Sequence, residues 1–157
     1  THARGYPAVS TVTKGLHMVP VLNKLDVRVA VYGNHDFGEL RLVVCFRVLF
    51  TVAVLLFPAD FGIDQLVKVS EQTNFPWLMS NVLDRKTNRP LAEGKRSLVL
   101  DWRGIKIGLM GLVEWEWIDT LANLGQEDVI FTDYVKVAME LVKELKQEVR
   151  GRKMEEF

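Results

Sequence analysis

The sequence predicts an α/β fold, a sheet flanked by helices, on three observations. Short β-branched, apolar runs alternate with amphipathic stretches of helical period. One pair of apolar runs is joined by Arg103-Gly104, a hairpin signal. The 157 residues are 48% apolar and 25% charged, one domain's worth of material with enough apolar mass to fill a core.

The first helix is expected over Thr13–Leu25, where Leu16, Val19, Leu22 and Leu25 recur at helical spacing. Pro20 lies inside that pattern, so the helix kinks there or starts near it. Val27–Tyr32 is β-branched and apolar and reads as a buried strand ending at Gly33. Asp60–Gln72 reads as a helix with Ile63, Leu66, Val67 and Ser70 on one side. Phe75–Ser80 gives a short strand, and the polar stretch Leu83–Gly94, with Pro90, a loop. Ser97–Trp102 and Ile105–Leu112 form the hairpin. Trp115–Leu124 is expected to be a short helix stopped by Gly125, and Asp128–Phe131 a brief strand. Thr132 or Asp133 can cap a last helix running to about Val149, with Val137, Ala138, Leu141, Val142 and Leu145 as its apolar stripe.

Twenty basic and twenty acidic residues cancel, leaving no basic excess to neutralise a phosphate backbone, so nucleic acid is not an expected partner. The single cysteine, Cys45, rules out an internal disulfide and a cysteine zinc site. With no signal peptide visible at Thr1–Gly5, a reducing, cytoplasmic setting is favoured. The absence of a starting Met suggests a true start upstream. Arg41–Phe57 is nearly all apolar, but it is short for a membrane span and carries Arg47 at its centre. A buried element or a segment foreign to the fold is the expectation there.

The chemistry concentrates in Gly33-Asn34-His35-Asp36, on the loop leaving the strand Val27–Tyr32. The C-terminal edge of strands is where ligands bind in open α/β sheets. An Asn amide oxygen is a hard, neutral metal ligand. A neighbouring His can protonate a leaving group, and an acid beside it can orient the ring. Gly33 permits the backbone turn. Read alone, these are also common turn residues.

Beyond the tetrapeptide, the sequence resembles the calcineurin-like metallophosphoesterases, most closely their 5′-nucleotidase-type branch. The resemblance runs through Thr13-Lys14-Gly15, His17-Met18-Val19, Val21-Leu22-Asn23 and Val29–Phe37, resumes at Asp60-Phe61-Gly62, and continues through Asn74–Val82 and Gly108–Val113. It implies a partial metallophosphoesterase domain over residues 1–157, with layered sheets sandwiched between helices. It implies Asn34 as a metal ligand, His35 as the catalytic group on the leaving oxygen and Asp36 as the partner of His35. Two divalent ions (Zn, Mn, Mg or Fe) are the implied cofactors, and a mononucleotide or similar phosphate ester the implied substrate.

The family pattern also has an early Asp-x-His, a Gly-Asp, a later His and a Gly-His-x-His. This chain has three histidines, His2, His17 and His35, and none of those motifs. An ion held by Asn34 alone would stay hydrated and weakly bound, so the chain as given is expected not to hydrolyse phosphate esters. The alternative is a non-catalytic truncated product or interaction module. His17 is expected to be surface or packing, Asn81 a turn residue, and Trp102, Trp115 and Trp117 core.

Gly38–Ala59 interrupts the resemblance. Removing it joins Phe37 to Asp60 and restores Asp-Phe-Asp-Phe-Gly. Gly-Glu at its start can be encoded by GGT GAG, a splice-donor consensus, and Pro-Ala-Asp can end in the acceptor CAG. The segment is therefore expected to be a translated, retained intron. An apolar stretch of that length beside a tight loop is also an aggregation liability.

Overall fold

The computed structural model describes residues 12–32, 63–116 and 126–154, the side chains of the last helix being described through Val149. The fold is mixed α/β.

The expected first helix is divided. Lys14 and Gly15 take left-handed φ values of 49° and 88°. A 3-10 turn follows at Leu16–Met18, and the helix proper, α1, is Val19–Lys24 with Pro20 in its first turn. That is where proline fits, because a first-turn amide has no intrahelical acceptor to lose. Val19 and Leu22 face the core.

Within the run Val27–Tyr32 only Ala30–Val31 forms a ladder, β1. Val27, Val29, Ala30 and Tyr32 are nevertheless all buried, as expected of a parallel strand covered on both faces. Its partner is β2, Trp77–Leu78, in the register Ala30↔Trp77 and Val31↔Leu78. The crossover contains α2, Ile63–Gln72. Leu66 and Val69 are its buried apolar positions, with Ile63 and Val67 packed at the edge. Val69, absent from the expected stripe, is the deepest of them at 1% exposed. Gln65 shares the buried side and donates to the Lys14 carbonyl at 2.9 Å. The C-terminal ends of α1 and α2 are tied by an asparagine pair. Asn23 Nδ2 donates to the Gln72 carbonyl (2.9 Å) while Asn23 Oδ1 accepts the Asn74 amide (2.8 Å).

The stretch expected as a loop from Leu83 begins instead with a strand, β3, Val82–Asp84. It pairs antiparallel with β6, Val129–Phe131. Val82 is fully buried, and Asp84 closes the strand by accepting the amides of Lys86 (2.7 Å) and Thr87 (2.8 Å). The polar residues there turn the chain, and two apolar neighbours suffice to lay down the strand. Leu91–Glu93 is a 3-10 turn whose Ala92 and Glu93 lie at φ 52° and 56°.

The hairpin forms as expected from β4, Ser97–Trp102, and β5, Ile105–Met110, although the ladder stops short of Leu112. Arg103 and Gly104 both have positive φ (51° and 80°), the combination that suits strand twist in a two-residue turn. The last helix, α3, spans Tyr134–Met154, beyond the expected end at Val149. Asp133, not Thr132, caps it, its Oδ1 accepting the Lys136 amide at 2.9 Å. Val137, Leu141 and Leu145 are buried, but Val142, placed on the same stripe by the sequence, is 39% exposed.

The strands form three two-stranded ladders, β1–β2, β3–β6 and β4–β5, in place of one expected sheet. Backbone bonds stitch two of them together: Lys95 N donates to Trp77 O (2.7 Å), Met79 N to Lys95 O (2.9 Å) and Ser80 N to Gly111 O (2.7 Å). The main core gathers Leu22, Val69, Trp77, Met79, Val82 and Leu91. A smaller one lies between α3 and the hairpin, where Val99, Met110 and Leu112 meet Val137, Leu141 and Leu145. Among the described residues no helix is long and apolar enough to cross a membrane. The run Arg41–Phe57, most of the expected helix Trp115–Leu124, and the segment Gly38–Ala59 lie outside the described residues.

Candidate functional site

Asn34, His35 and Asp36 lie outside the described residues, as do His2 and Trp117. What the structure describes is the platform that leads the chain to them. β1 runs into Gly33 through Tyr32, and the amides on either side of its ladder are anchored: Ala30 N donates to Pro76 O at 3.0 Å and Tyr32 N to Leu78 O at 3.3 Å.

Tyr32 is the last described residue before the motif, and it is tightly held. Its ring stacks on Trp77 with centroids 4.9 Å apart, and its hydroxyl donates to the Ala92 carbonyl at 2.9 Å. Burial pushes the phenol up to about 12, so it stays protonated at neutral pH and acts here as a donor. The left-handed turn at Ala92–Glu93 brings that acceptor to it.

Two glycines let the neighbouring chain close against this strand pair. A Cβ on Gly111 would sit 2.8 Å from the Leu78 carbonyl oxygen and 2.9 Å from Val31 Cγ1. A Cβ on Gly94 would sit 2.9 Å from Met79 Cβ and 3.0 Å from the Tyr32 ring. The C-terminal end of β2 is stapled by side chains. Ser80 Oγ accepts the Gly111 amide (2.9 Å) and donates to the Arg96 carbonyl (2.5 Å). Asn81, only 2% exposed, spans three partners. Its Nδ2 donates to the carbonyls of Val113 (2.8 Å) and Thr132 (3.0 Å), and its Oδ1 accepts the Val113 amide (3.0 Å). Asn81 is therefore a buried clamp between β2, the exit of β5 and the start of α3, not the turn residue its position suggested. A polar Ser-Asn pair enclosed by Met79 and Val82 was the available signal, because polar side chains amid apolar ones need partners when buried.

A cleft of about 220 Å³ opens beside Tyr32 and Trp77. Glu71, Glu93 and Lys95 line it, two carboxylates to one ammonium, which does not suit an anion. His17 is hydrogen-bonded through Nδ1 to Thr13 Oγ1 at 2.6 Å, in keeping with a packing role. Of the tryptophans expected in the core, Trp115 is 42% exposed in a T-shaped contact with Phe131, and Trp102 is half-buried with the Arg103 guanidinium 5.4 Å from its ring centre; Trp77, not among those expected, is buried. Among the described residues no three His, Cys, Asp or Glu side chains are grouped to hold a metal ion. The described donors alone do not make up a two-ion centre.

No protein-family model matches the chain. Over 92 residues, 56% of its length, it is 34% identical to a 5′-nucleotidase of Vibrio vulnificus (strain CMCP6), of which the matched stretch is 16%. Its fold is similar to that of the Haemophilus influenzae NAD nucleotidase (NadN), with a TM-score of 0.62 and 23% identity over 90% of this chain and 21% of that one. The chain thus spans about a fifth or less of the proteins it matches. Part of a nucleotidase-like α/β fold is what the two have in common with it.

Proposed function

We propose that this chain is part of a phosphate-ester hydrolase of the 5′-nucleotidase type, within the calcineurin-like metallophosphoesterases. The observation that carries the reading is the 34% identity to the Vibrio vulnificus 5′-nucleotidase. The parallel pair β1–β2, which leads directly into Gly33-Asn34-His35-Asp36 at the strand edge where α/β folds place ligands, supports it.

In this reading Asn34 is a metal ligand, His35 delivers a proton to the leaving-group oxygen, and Asp36 holds the His35 ring and its charge. The substrate is a mononucleotide or a similar phosphate ester. Two divalent ions (Zn, Mn, Mg or Fe) belong to the complete site, within a layered sandwich of which residues 1–157 are a part. Asn34 is the one ligand this sequence offers them, so residues 1–157 alone do not hydrolyse phosphate esters. Turnover of a nucleotide by the purified chain with added Mn²⁺ or Zn²⁺, abolished by His35→Ala, would overturn that last point. The alternative, a non-catalytic interaction module, draws on the same scarcity of histidines.

The activity itself is tested in a chimera. The stretch of the Vibrio vulnificus 5′-nucleotidase that matches this chain is replaced by the corresponding residues here, with Gly38–Ala59 removed. The chimera is expected to hydrolyse nucleotides and to lose about 100-fold or more of that rate on His35→Ala, the scale of general acid–base catalysis. A folded, metal-loaded chimera without activity refutes the assignment. Gly38–Ala59 is proposed to be a retained intron; transcripts that all keep the segment refute that.

A further inference from the structure

Helix α3 carries two apolar lines, and the core uses one of them. Val137, Leu141 and Leu145, spaced by four, are buried against the hairpin. Val135, Met139 and Val142 also recur at helical spacing, further around the helix, and they are 50%, 62% and 39% exposed. Met139 has Val135 and Val142 as neighbours on one side and Lys136 and Lys143 on the other, and Lys146 continues the line.

The charges around this stripe are segregated. Lys136, Lys143 and Lys146 are exposed, and among the described residues no carboxylate is ion-paired with any of them. The acids of the helix, Glu140, Glu144 and Glu148, form a row beyond the lysines, away from the stripe. Glu140 in that row meets Arg96 at 3.5 Å. The stripe and its rim are therefore apolar and basic, although the chain as a whole is neutral.

We propose that this side of α3 docks an amphipathic helix of another protein, apolar along one line and edged with Asp or Glu. Apolar anchors at i, i+4 and i+7 are the pattern by which one helix lies along another. The lysines set the sign of the partner: carboxylates beside its apolar line meet ammonium groups that no acid of this chain engages. From Val135 to Lys146 the surface is about 17 Å long, roughly three turns. The contact belongs to the small, transient class, below the roughly 1,200 Å² of stable complexes.

Two other occupants fit less well. A second copy of this chain would gather the lysines of both molecules along one seam, like charge against like. A membrane surface takes a helix by its broad apolar face, and in α3 the hairpin closes that face. The inference uses no residue of the proposed phosphoesterase site and stands apart from that reading.

The test is fluorescence anisotropy of two labelled helical peptides, each of about five turns with Leu at i, i+4 and i+7, titrated with residues 1–157. In one peptide the positions beside the leucines are Glu, in the other Lys. The Glu peptide is expected to bind about 10-fold more tightly or better, and to weaken as salt rises from about 0.05 to about 0.5 M. Met139→Glu should weaken it about 10-fold or more, and Lys136→Glu combined with Lys143→Glu should reverse the preference between the peptides. Both variants should keep the urea midpoint of the parent, because these positions are exposed. Equal affinity for the two peptides, no binding of the Glu peptide at about 1 mM, or no loss on Met139→Glu overturns the proposal. Self-association of the parent that Met139→Glu abolishes assigns the stripe to a second copy. Binding to vesicles of about 30% phosphatidylserine that Met139→Glu abolishes assigns it to a membrane. Both results also overturn the proposal. His35→Ala leaves peptide binding unchanged, so the phosphoesterase reading and this one fail separately.

Discussion

Replacing Asn81 with Ala removes three hydrogen bonds from a side chain that is 2% exposed. The Val113 amide and the carbonyls of Val113 and Thr132 lose their side-chain partner, and the cavity left by the amide is too enclosed for water to replace every bond. An unsatisfied buried polar group costs about 1–3 kcal/mol, the amide most, because it has one hydrogen and no second way to use it. The expected destabilisation is about 3–5 kcal/mol, most of the stability of a marginal domain. In urea, at a slope of roughly 1–3 kcal/mol per molar, the midpoint should fall by roughly 1–5 M. Asn81→Asp is the sharper perturbation. Its carboxylate keeps the acceptor for Val113 but meets two carbonyl oxygens, so its pKa is raised in the folded state. Stability is then fullest at low pH, where the protonated acid can still donate, and is lost as pH rises through the raised pKa. An Asn81→Ala midpoint within about 0.3 M of the parent, well below the span that the urea slope implies, refutes the clamp. So does an Asn81→Asp variant indifferent to pH between acid and neutral conditions.

Tyr32 predicts an alkaline transition. Its folded pKa of about 12 lies above the ordinary 10.0, so the unfolded chain loses that proton first. Stability should fall by about 1.4 kcal/mol per pH unit between those values, and Tyr32→Phe should remove that slope at a cost of about 1 kcal/mol at neutral pH, read by urea unfolding across the pH series. Gly111→Ala should destabilise by about 1–3 kcal/mol in the same assay, because its methyl group would overlap the Leu78 carbonyl and Val31. Asp84 has its carboxyl held below the usual range, first by the Thr87 amide. Its contribution is therefore present above the ordinary carboxylate pKa and fades as pH falls through the lowered one; Asp84→Asn should flatten the acid limb of the stability profile.

Where local pattern and tertiary contact agree, the fold is legible from sequence. The hairpin reads correctly because Arg103-Gly104 separates two apolar runs, and α3 because its stripe repeats over several turns. Helix α1 is shortened because the left-handed pair Lys14–Gly15 interrupts the periodic pattern, with Pro20 opening the helix beyond it. Strand β3 is hidden in sequence because Val82–Asp84 is too short to show a period, and its partner β6 lies far along the chain. The site is legible only in part. Asn34, His35 and Asp36 come from motif and resemblance and lie outside the described residues. Ser80, Asn81, Gly94 and Gly111, which fix the strand ends behind them, depend on contacts between distant segments that periodicity does not carry.

The parallel pairing of β1 with β2 bears on how the segment Gly38–Ala59 could persist. Every residue from Tyr32 to Pro76 belongs to the connection between the two strands, and without that segment the connection would be about half as long. Closing a flexible loop of twice the length costs only about 0.6 kcal/mol more. The change falls on the number of residues separating Asp36 from Asp60 in the sequence, 23 with the segment and one, Phe37, without it.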